Sequence, residues 1–384
     1  MSVWDEVSGQ PRAVATFQRA VAASRPGVED RQGFTNSWLI TGPPGSGRST
    51  CAYAFAAALL CPEGGCGTCR SCTQVAARTH PDLTAVVTET VQLDIGTARE
   101  LVERASLAPS SGNYRIIVVE DADRMVARTS NTLLKAIEEP ALSTVWVLCA
   151  PSEADLLPTI RSRVRTVALG TPAPDEVARL LVRRHGIDEA TALRAAEEAQ
   201  SHVGMAARLV TSPESWARRD RALDGILGMR TTGQAVRKAA EWVAIAEEDG
   251  KAAAADRDET ERAEMFRTLG LEPGQAVPRQ LRGMFKELED HQKKRARRAT
   301  LDGVDRILTD AQSLWRDVLM LELQAPVRLV NETRRAEIER AAGAGDPQRA
   351  LDSIGAITTT RQRLAANVPP ALALEELLIG FVAG

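Results

Sequence analysis

Four cysteines crowd into one short stretch, CPEGGCGTCRSC, at Cys61, Cys66, Cys69 and Cys72. The spacing C-x4-C-x2-C-x2-C, with Gly64, Gly65 and Gly67 between the thiols, lets the backbone turn tightly enough for four thiolates to meet one tetrahedral Zn2+ at about 2.3 Å each. Four sulfur ligands leave no open position, so the expected role is structural. The alternative is a set of free or redox-active thiols; against it, a loop this rich in cysteine has no other stabiliser. Cys51 and Cys149 fall in helix-like and strand-like contexts and read as core residues.

A second set is Gly42 to Thr50, GPPGSGRST. It fits the phosphate-loop pattern G-x-x-x-x-G-K-[ST] with Arg48 in place of the lysine. Gly42, Gly45 and Gly47 would let backbone N–H groups at a helix N-terminus cradle phosphate, and Ser49, followed by Thr50, would offer a hydroxyl to Mg2+. Arginine is a planar fork and not a compact ammonium, so Arg48 fits phosphate binding better than it fits placement at the β,γ-bridge. ATP with Mg2+ could bind here, with hydrolysis weak or absent. A loop that keeps its shape for folding alone is the equal alternative.

The third set is the acidic end of IIVVEDADRM, Glu120 and Asp121. An apolar strand ending in acids is where an Mg2+ carboxylate and a water-orienting acid are delivered in P-loop enzymes. Here the longer acid precedes the shorter, which displaces each carboxylate by about 1.5 Å from the usual order, enough to spoil positioning catalysis. An ordinary acidic strand end fits as well.

These groups need a scaffold. SWLITGPPGSGRST reads as strand, glycine-rich turn and a helix from about Ser49 to Leu60, and further apolar runs at Leu83–Val87, Arg115–Glu120 and Val145–Ala150 alternate with helical stretches. That alternation predicts an α/β domain with a parallel sheet flanked by helices over residues 1–170, with the cysteine module at 61–72 inserted in it. A Pro-containing hinge at Thr171–Pro174 precedes a small helical domain over 171–212, and 213–384 reads as all helix. The charged stretch Lys251–Thr300 lies between helical segments; Lys293, Lys294, Arg295, Arg297 and Arg298 could touch DNA phosphate or a partner's acidic face, although such runs are usually solvated helix surface. Trp315, Leu319 and Leu323 read as helix core or a subunit interface.

Of 384 residues, 44% are hydrophobic and only 4% aromatic, so burial must come from Ala, Val, Leu and Ile. Lys plus Arg number 48 against 51 acids, a net charge of −3, so no global basic field marks an autonomous nucleic-acid binder. With no apolar run of about 18 residues and no basic-then-apolar start, a cytoplasmic chain without membrane contact is expected. No second carboxylate constellation for a two-metal nuclease or polymerase is apparent.

Taken in order, WDEVSGQ (Trp4–Gln10), the phosphate loop, the four-cysteine insert followed by HPDL (His80–Leu83), the acidic strand, NTLLKAIEEP (Asn131–Pro140), TIRSRV (Thr159–Val164) and NVPPALALEELL resemble the AAA+ clamp-loader family of bacterial DNA polymerase III over most of the chain. The resemblance implies an AAA+ domain, a helical lid and a helical collar that assembles into a hetero-oligomeric ring with gamma/tau and delta subunits. Through that ring it would meet the sliding clamp and primer-template DNA at the nucleoid-associated replisome. It also implies that Arg163, after Ser162, matches the family's serine-arginine-cysteine motif, with Val164 for the cysteine, and reaches in trans into a neighbour's ATP site. Arg163 could otherwise be one of a solvated cluster with Arg161 and Arg165. Ala150 and Gly204 stand where the family's motor subunits carry polar sensors, with Arg208 one turn beyond Gly204. Altered sensors, Arg48 and inverted acids beside a retained Arg163 imply a stator that triggers its neighbour. The alternatives are an ATP-hydrolysing motor subunit and, from another class, a zinc-ribbon DNA-binding protein with a vestigial AAA+ fold.

Overall fold

The computed structural model describes residues 2–25, 27, 28, 30, 32–88, 92–269, 271, 272, 277, 278, 281–343 and 346–383. They form two compact units, 1–211 and 212–384.

In the first unit five strands, β1 Ser37–Thr41, β2 Leu83–Val86, β3 Arg115–Val119, β4 Thr144–Ala150 and β5 Arg165–Ala168, make one sheet in the order β2-β3-β4-β1-β5. Every recorded pairing is parallel, with Leu39 opposite Leu148 and Thr166, and Ile117 opposite Thr84 and Trp146. β1, β3 and β4 are buried along their whole length. That is why each reads as a continuous apolar run and not as an alternation: a parallel sheet has both faces covered by its crossover helices.

Alternate residues serve opposite faces. Trp38, Ile40, Val118, Val147 and Cys149 join the cluster that includes Phe17 of α1 (Pro11–Ala23), Phe55 of α2 (Arg48–Leu60) and Val75 of α3 (Arg70–Ala76). Leu39, Ile117, Val119, Trp146 and Leu148 join Leu101 of α4 (Ile95–Ser106) and Leu133 and Ile137 of α5 (Ala127–Glu138). Phe17, Trp38 and Phe55 stack with centroids 4.5 to 5.3 Å apart and fix α2, and so the turn before it, against the sheet. The short α6 (Pro158–Arg161) precedes β5, and α7 (Pro174–His185), α8 (Glu189–Glu198) and α9 (Val203–Thr211) occupy the segment after it.

The second unit is helical: α10 Pro213–Leu223, α11 Thr232–Thr268, α12 Arg282–Glu322, α13 Arg335–Ala342, α14 Pro347–Ala365 and α15 Pro370–Ala383. Its core holds Trp242, Leu308, Leu314, Trp315, Leu319, Leu374 and Leu378, while Leu323 is exposed. Buried Arg219 is matched by Asp310 at 3.0 Å and by the Asn331 side-chain oxygen at 2.6 Å, so its charge is compensated on the spot.

The stretch 251–300, part of the segment read from sequence as all helix, is mostly helix. Contacts at Asp249–Arg306 (3.3 Å), Glu261–Arg295 (2.6 Å) and Phe266–Phe285 (centroids 4.9 Å) pair rising numbers on α11 with falling numbers on α12, which makes an antiparallel hairpin. Within this stretch residues 270, 273–276, 279 and 280 lie outside the described residues.

Candidate metal centre and phosphate loop

The cysteine module interrupts the path from α2 to α3. Cys61 caps the C-terminus of α2, Cys69 is the N-cap of α3, and Cys72 lies in the first turn of α3. Gly64 and Gly65 take left-handed φ of 77° and 108°, and a Cβ at Gly65 would fall 2.5 Å from the Val3 side chain. The four Sγ atoms all lie within 4.8 Å of one another, and Cys61 Sγ stands 3.7 Å from both Cys66 Sγ and Cys69 Sγ. A tetrahedral ion with sulfur at about 2.3 Å requires a sulfur–sulfur separation of about 3.8 Å, so the donor set fits such an ion.

Backbone N–H groups support anionic sulfur. Glu63 and Cys66 donate to Cys61 Sγ at 3.3 and 3.5 Å, and Gly67 donates to Cys72 Sγ at 3.4 Å. Bonds from the Thr68 and Cys69 N–H groups bring the Cys66 thiol down to about 6. Among the described residues this is the one group of three or more metal-binding side chains, and no cysteine is in a disulfide. Cys51 and Cys149 are buried core residues; burial pushes Cys51 up to about 12 and Cys149 higher still.

The glycine loop leaves the C-terminal end of β1, the strand flanked by β4 and β5, which is where open α/β sheets place their ligand crevice. Gly47 is the N-cap of α2 with φ 89°, and Arg48 opens the helix, with Ser49 and Thr50 half-buried in its first turn. The loop is braced from several sides. Arg48 turns back and donates to the Gly42 carbonyl. Gln10 donates to the carbonyls of Ser46 (3.4 Å) and Gly170 (2.7 Å) and accepts from the Gly170 N–H (3.1 Å), tying the loop to the chain after β5. The Val203 N–H donates to the Gly45 carbonyl at 3.3 Å, and the His202 ring lies so close that a Cβ at Gly45 would meet it at 2.3 Å. Ser46 is 2% exposed and its hydroxyl finds no partner.

The acids at the end of β3 diverge. The Glu120 carboxylate accepts from the Tyr53 hydroxyl of α2 at 2.6 Å and pairs with Arg78, just beyond α3, at 3.1 Å; the Arg78 guanidinium lies 4.6 Å from the Tyr53 ring centroid. Asp121 stands 3.9 Å from Arg124. Of the two acids read as a possible Mg2+ site, Glu120 is therefore engaged by a phenol and a guanidinium, and Asp121 lies near a guanidinium of its own turn.

Arg163 follows α6 on the exposed side of the unit. Its guanidinium donates to the Thr159 carbonyl (2.8 Å), the Ser162 hydroxyl (3.2 Å) and Glu138 at the end of α5 (2.9 Å). Its neighbours do other work. Arg165 bonds the Gly33 carbonyl at 3.0 Å and lies over Trp38, while Val164 packs against the α4–α5 core. Ala150 is buried at the end of β4, and Gly204 begins α9 beside His202.

Tyr53, Arg78 and His202 shape these sites without having been singled out from sequence, while Gln10 and Glu138 lie in WDEVSGQ and NTLLKAIEEP without a role having been read for either. Each acts through a partner 25 or more positions away, and no local pattern marks such a contact. HPDL is explained by the fold: Asp82 is fully buried and accepts from the N–H groups of Ser110, Ser111 and Gly112 and from the Ser111 hydroxyl, fixing the turn before β3.

Residues 10–173 match the family described as DNA polymerase III, delta subunit. The chain is 34% identical over 156 residues to the DNA polymerase III subunit delta' of Pseudomonas aeruginosa, covering 39% of this chain and 47% of that one. It is 32% identical over 188 residues to subunit delta' of Escherichia coli, covering 47% and 56%. Against subunit gamma/tau of Mycobacterium tuberculosis it is 30% identical over 188 residues, covering 46% and 30%. The chain thus spans about half the length of the delta' relatives it matches.

Proposed function

We propose, on the premise that residues 10–173 are kin to the delta-prime subunits of DNA polymerase III, that this chain is the stator of a clamp loader. In this reading it forms a hetero-oligomeric ring with gamma/tau and delta subunits. The ring uses ATP to load the sliding clamp onto primed DNA, and Arg163 is presented to the ATP bound by a neighbour. The observation that carries the reading is a contrast within one unit. Arg48 and Glu120 are half-buried and turned onto partners inside the unit, whereas Arg163 is exposed, its guanidinium held by the Thr159 carbonyl, the Ser162 hydroxyl and an exposed Glu138 carboxylate that another anion can replace.

The chemistry follows from charge. A guanidinium placed beside a γ-phosphate neutralises charge that develops on its oxygens, and such a group is worth about 10³- to 10⁵-fold in rate. Exposed ion pairs are weakly held, so exchange of Glu138 for a more highly charged phosphate costs little. Cys61, Cys66, Cys69 and Cys72 would hold Zn2+, which would act as a cross-link between α2 and α3. Zinc supplies no reaction step here.

The match to gamma/tau subunits favours a second reading, a motor that hydrolyses its own ATP, with Ser49, Thr50 and the loop glycines holding ATP and Mg2+ and Glu120 and Asp121 as the acids. Clamp-loading assays with the gamma/tau and delta subunits separate the two. The stator reading expects no loading without this chain, and full loading when its own loop carries Ser49→Ala. Loss of loading in that variant would favour the motor.

A further inference from the structure

The α11–α12 hairpin carries cations of two kinds. Arg295 faces α11 and is engaged by Glu261 at 2.6 Å and by Asp258, and Arg298 pairs with Asp302 at 3.4 Å on its own helix. The Arg295 pairs tie the two helices together, and the Arg298 pair lies along α12. Arg282, Lys286, Lys293, Lys294 and Arg297 are exposed. At 3.6 residues per turn, Lys286, Lys293 and Arg297 fall within about 40° of one another, with Arg282 and Lys294 flanking them, on the side of α12 opposite Arg295. Lys293 reaches Asp290 only at 3.8 Å, and no described acid lies within ion-pairing distance of Lys286, Lys294 or Arg297. Among the described residues Glu289 and Asp290 are the exposed acids on that side of α12, against five cations, so the described stripe is net positive.

We propose that this face of α12 binds the phosphate backbone of duplex nucleic acid. From Lys286 to Arg297 the stripe runs about 16 Å at 1.5 Å per residue. A duplex offers one negative charge per about 1.7 Å of axis, and the release of its condensed counterions rewards a row of cations without needing shape complementarity. A protein partner would need an apolar centre inside the charged rim. The exposed Met284 lies on another side of the helix, and the stripe itself holds no large apolar side chain. The binding belongs to the free chain, so it stands or falls apart from the clamp-loader reading.

The test is fluorescence anisotropy of a labelled duplex DNA titrated with the full chain between 50 and 200 mM salt. Replacing Lys286, Lys293, Lys294 and Arg297 together by Gln is expected to weaken binding at least tenfold at low salt. It should also flatten the log K against log salt slope by up to about 3.6, since each phosphate contact contributes about 0.9. A variant that instead replaces exposed Arg12, Arg99, Arg179 and Arg340 by Gln is expected to bind as the wild type does, with unchanged helical circular dichroism in both. Equal loss in the two variants would mean diffuse attraction and overturn the proposal. So would a wild-type chain that ignores the duplex but binds poly-glutamate, which would point to an acidic protein.

Discussion

Arg163 and Glu138 face each other at 2.9 Å, the arginine from the loop after α6 and the acid from the end of α5. Their side chains are 33% and 49% exposed, so the pair is reached by solvent. The pairing lowers the carboxyl of Glu138 and raises Arg163. Glu138→Gln is accordingly expected to leave the urea midpoint of the isolated chain unchanged, because exposed pairs contribute little. A large fall in the midpoint would make the pair part of the fold and weaken its reading as a displaceable partner.

Arg48→Lys on its own is expected not to produce ATP turnover. The lysine would remove the bond to the Gly42 carbonyl, yet His202 would still lie against Gly45 and Glu120 would still be engaged by Tyr53 and Arg78. Combining Arg48→Lys with His202→Ala should tighten fluorescent ATP-analogue binding by about tenfold, the equivalent of one lost steric contact of about 1.4 kcal/mol. Turnover by the single variant would show that the internal contacts are not what silences the loop.

Purified chain is expected to carry one zinc per polypeptide by atomic absorption. Cys66→Ser should abolish that stoichiometry and lower the melting temperature, because Cys61 and Cys72 are buried against the core that contains Phe17 and Phe55. A metal-free chain with four rapidly titrated thiols and an unchanged melting temperature would contradict the assignment.

Asp82 gives a pH signature. Burial alone would raise its carboxyl, but the N–H groups of Ser110, Ser111 and Gly112 outweigh that and hold it at about 2. A pKa depressed on folding contributes stability that is complete above the unfolded value of about 3.9 and is lost as pH falls through the folded value. Asp82→Asn is therefore expected to cost about 2 kcal/mol at pH 7, the scale of hydrogen bonds to a charged group, and clearly less at pH 2. A cost independent of pH would assign the effect to packing.

The sheet and the loop were legible because their signals are local. Buried parallel strands such as Val145–Ala150 must be apolar throughout, a tight strand-to-helix turn must contain glycine where φ is positive, and four closely spaced cysteines constrain one another. The helical character of 213–384 was legible, but the pairing of α11 with α12 as a hairpin was not. Its cross-helix ties are Arg295 with Asp258 and Glu261, and in one dimension they look like an unpatterned charge run. His202 and Tyr53 were missed for a related reason: each is ordinary in its own helix neighbourhood and acquires meaning only when folding brings it to Gly45 or Glu120.

The central claim is tested most directly by ATP hydrolysis in a loader reconstituted with gamma/tau and delta subunits, with clamp and primed DNA present, comparing wild-type chain with Arg163→Ala and Arg163→Lys. The account predicts an unchanged assembly by gel filtration and a fall in turnover of about 10³-fold or more at the site that this chain adjoins, with lysine restoring little because a point charge does not reproduce the planar fork. Turnover equal to wild type in an intact ring containing Arg163→Ala would contradict it.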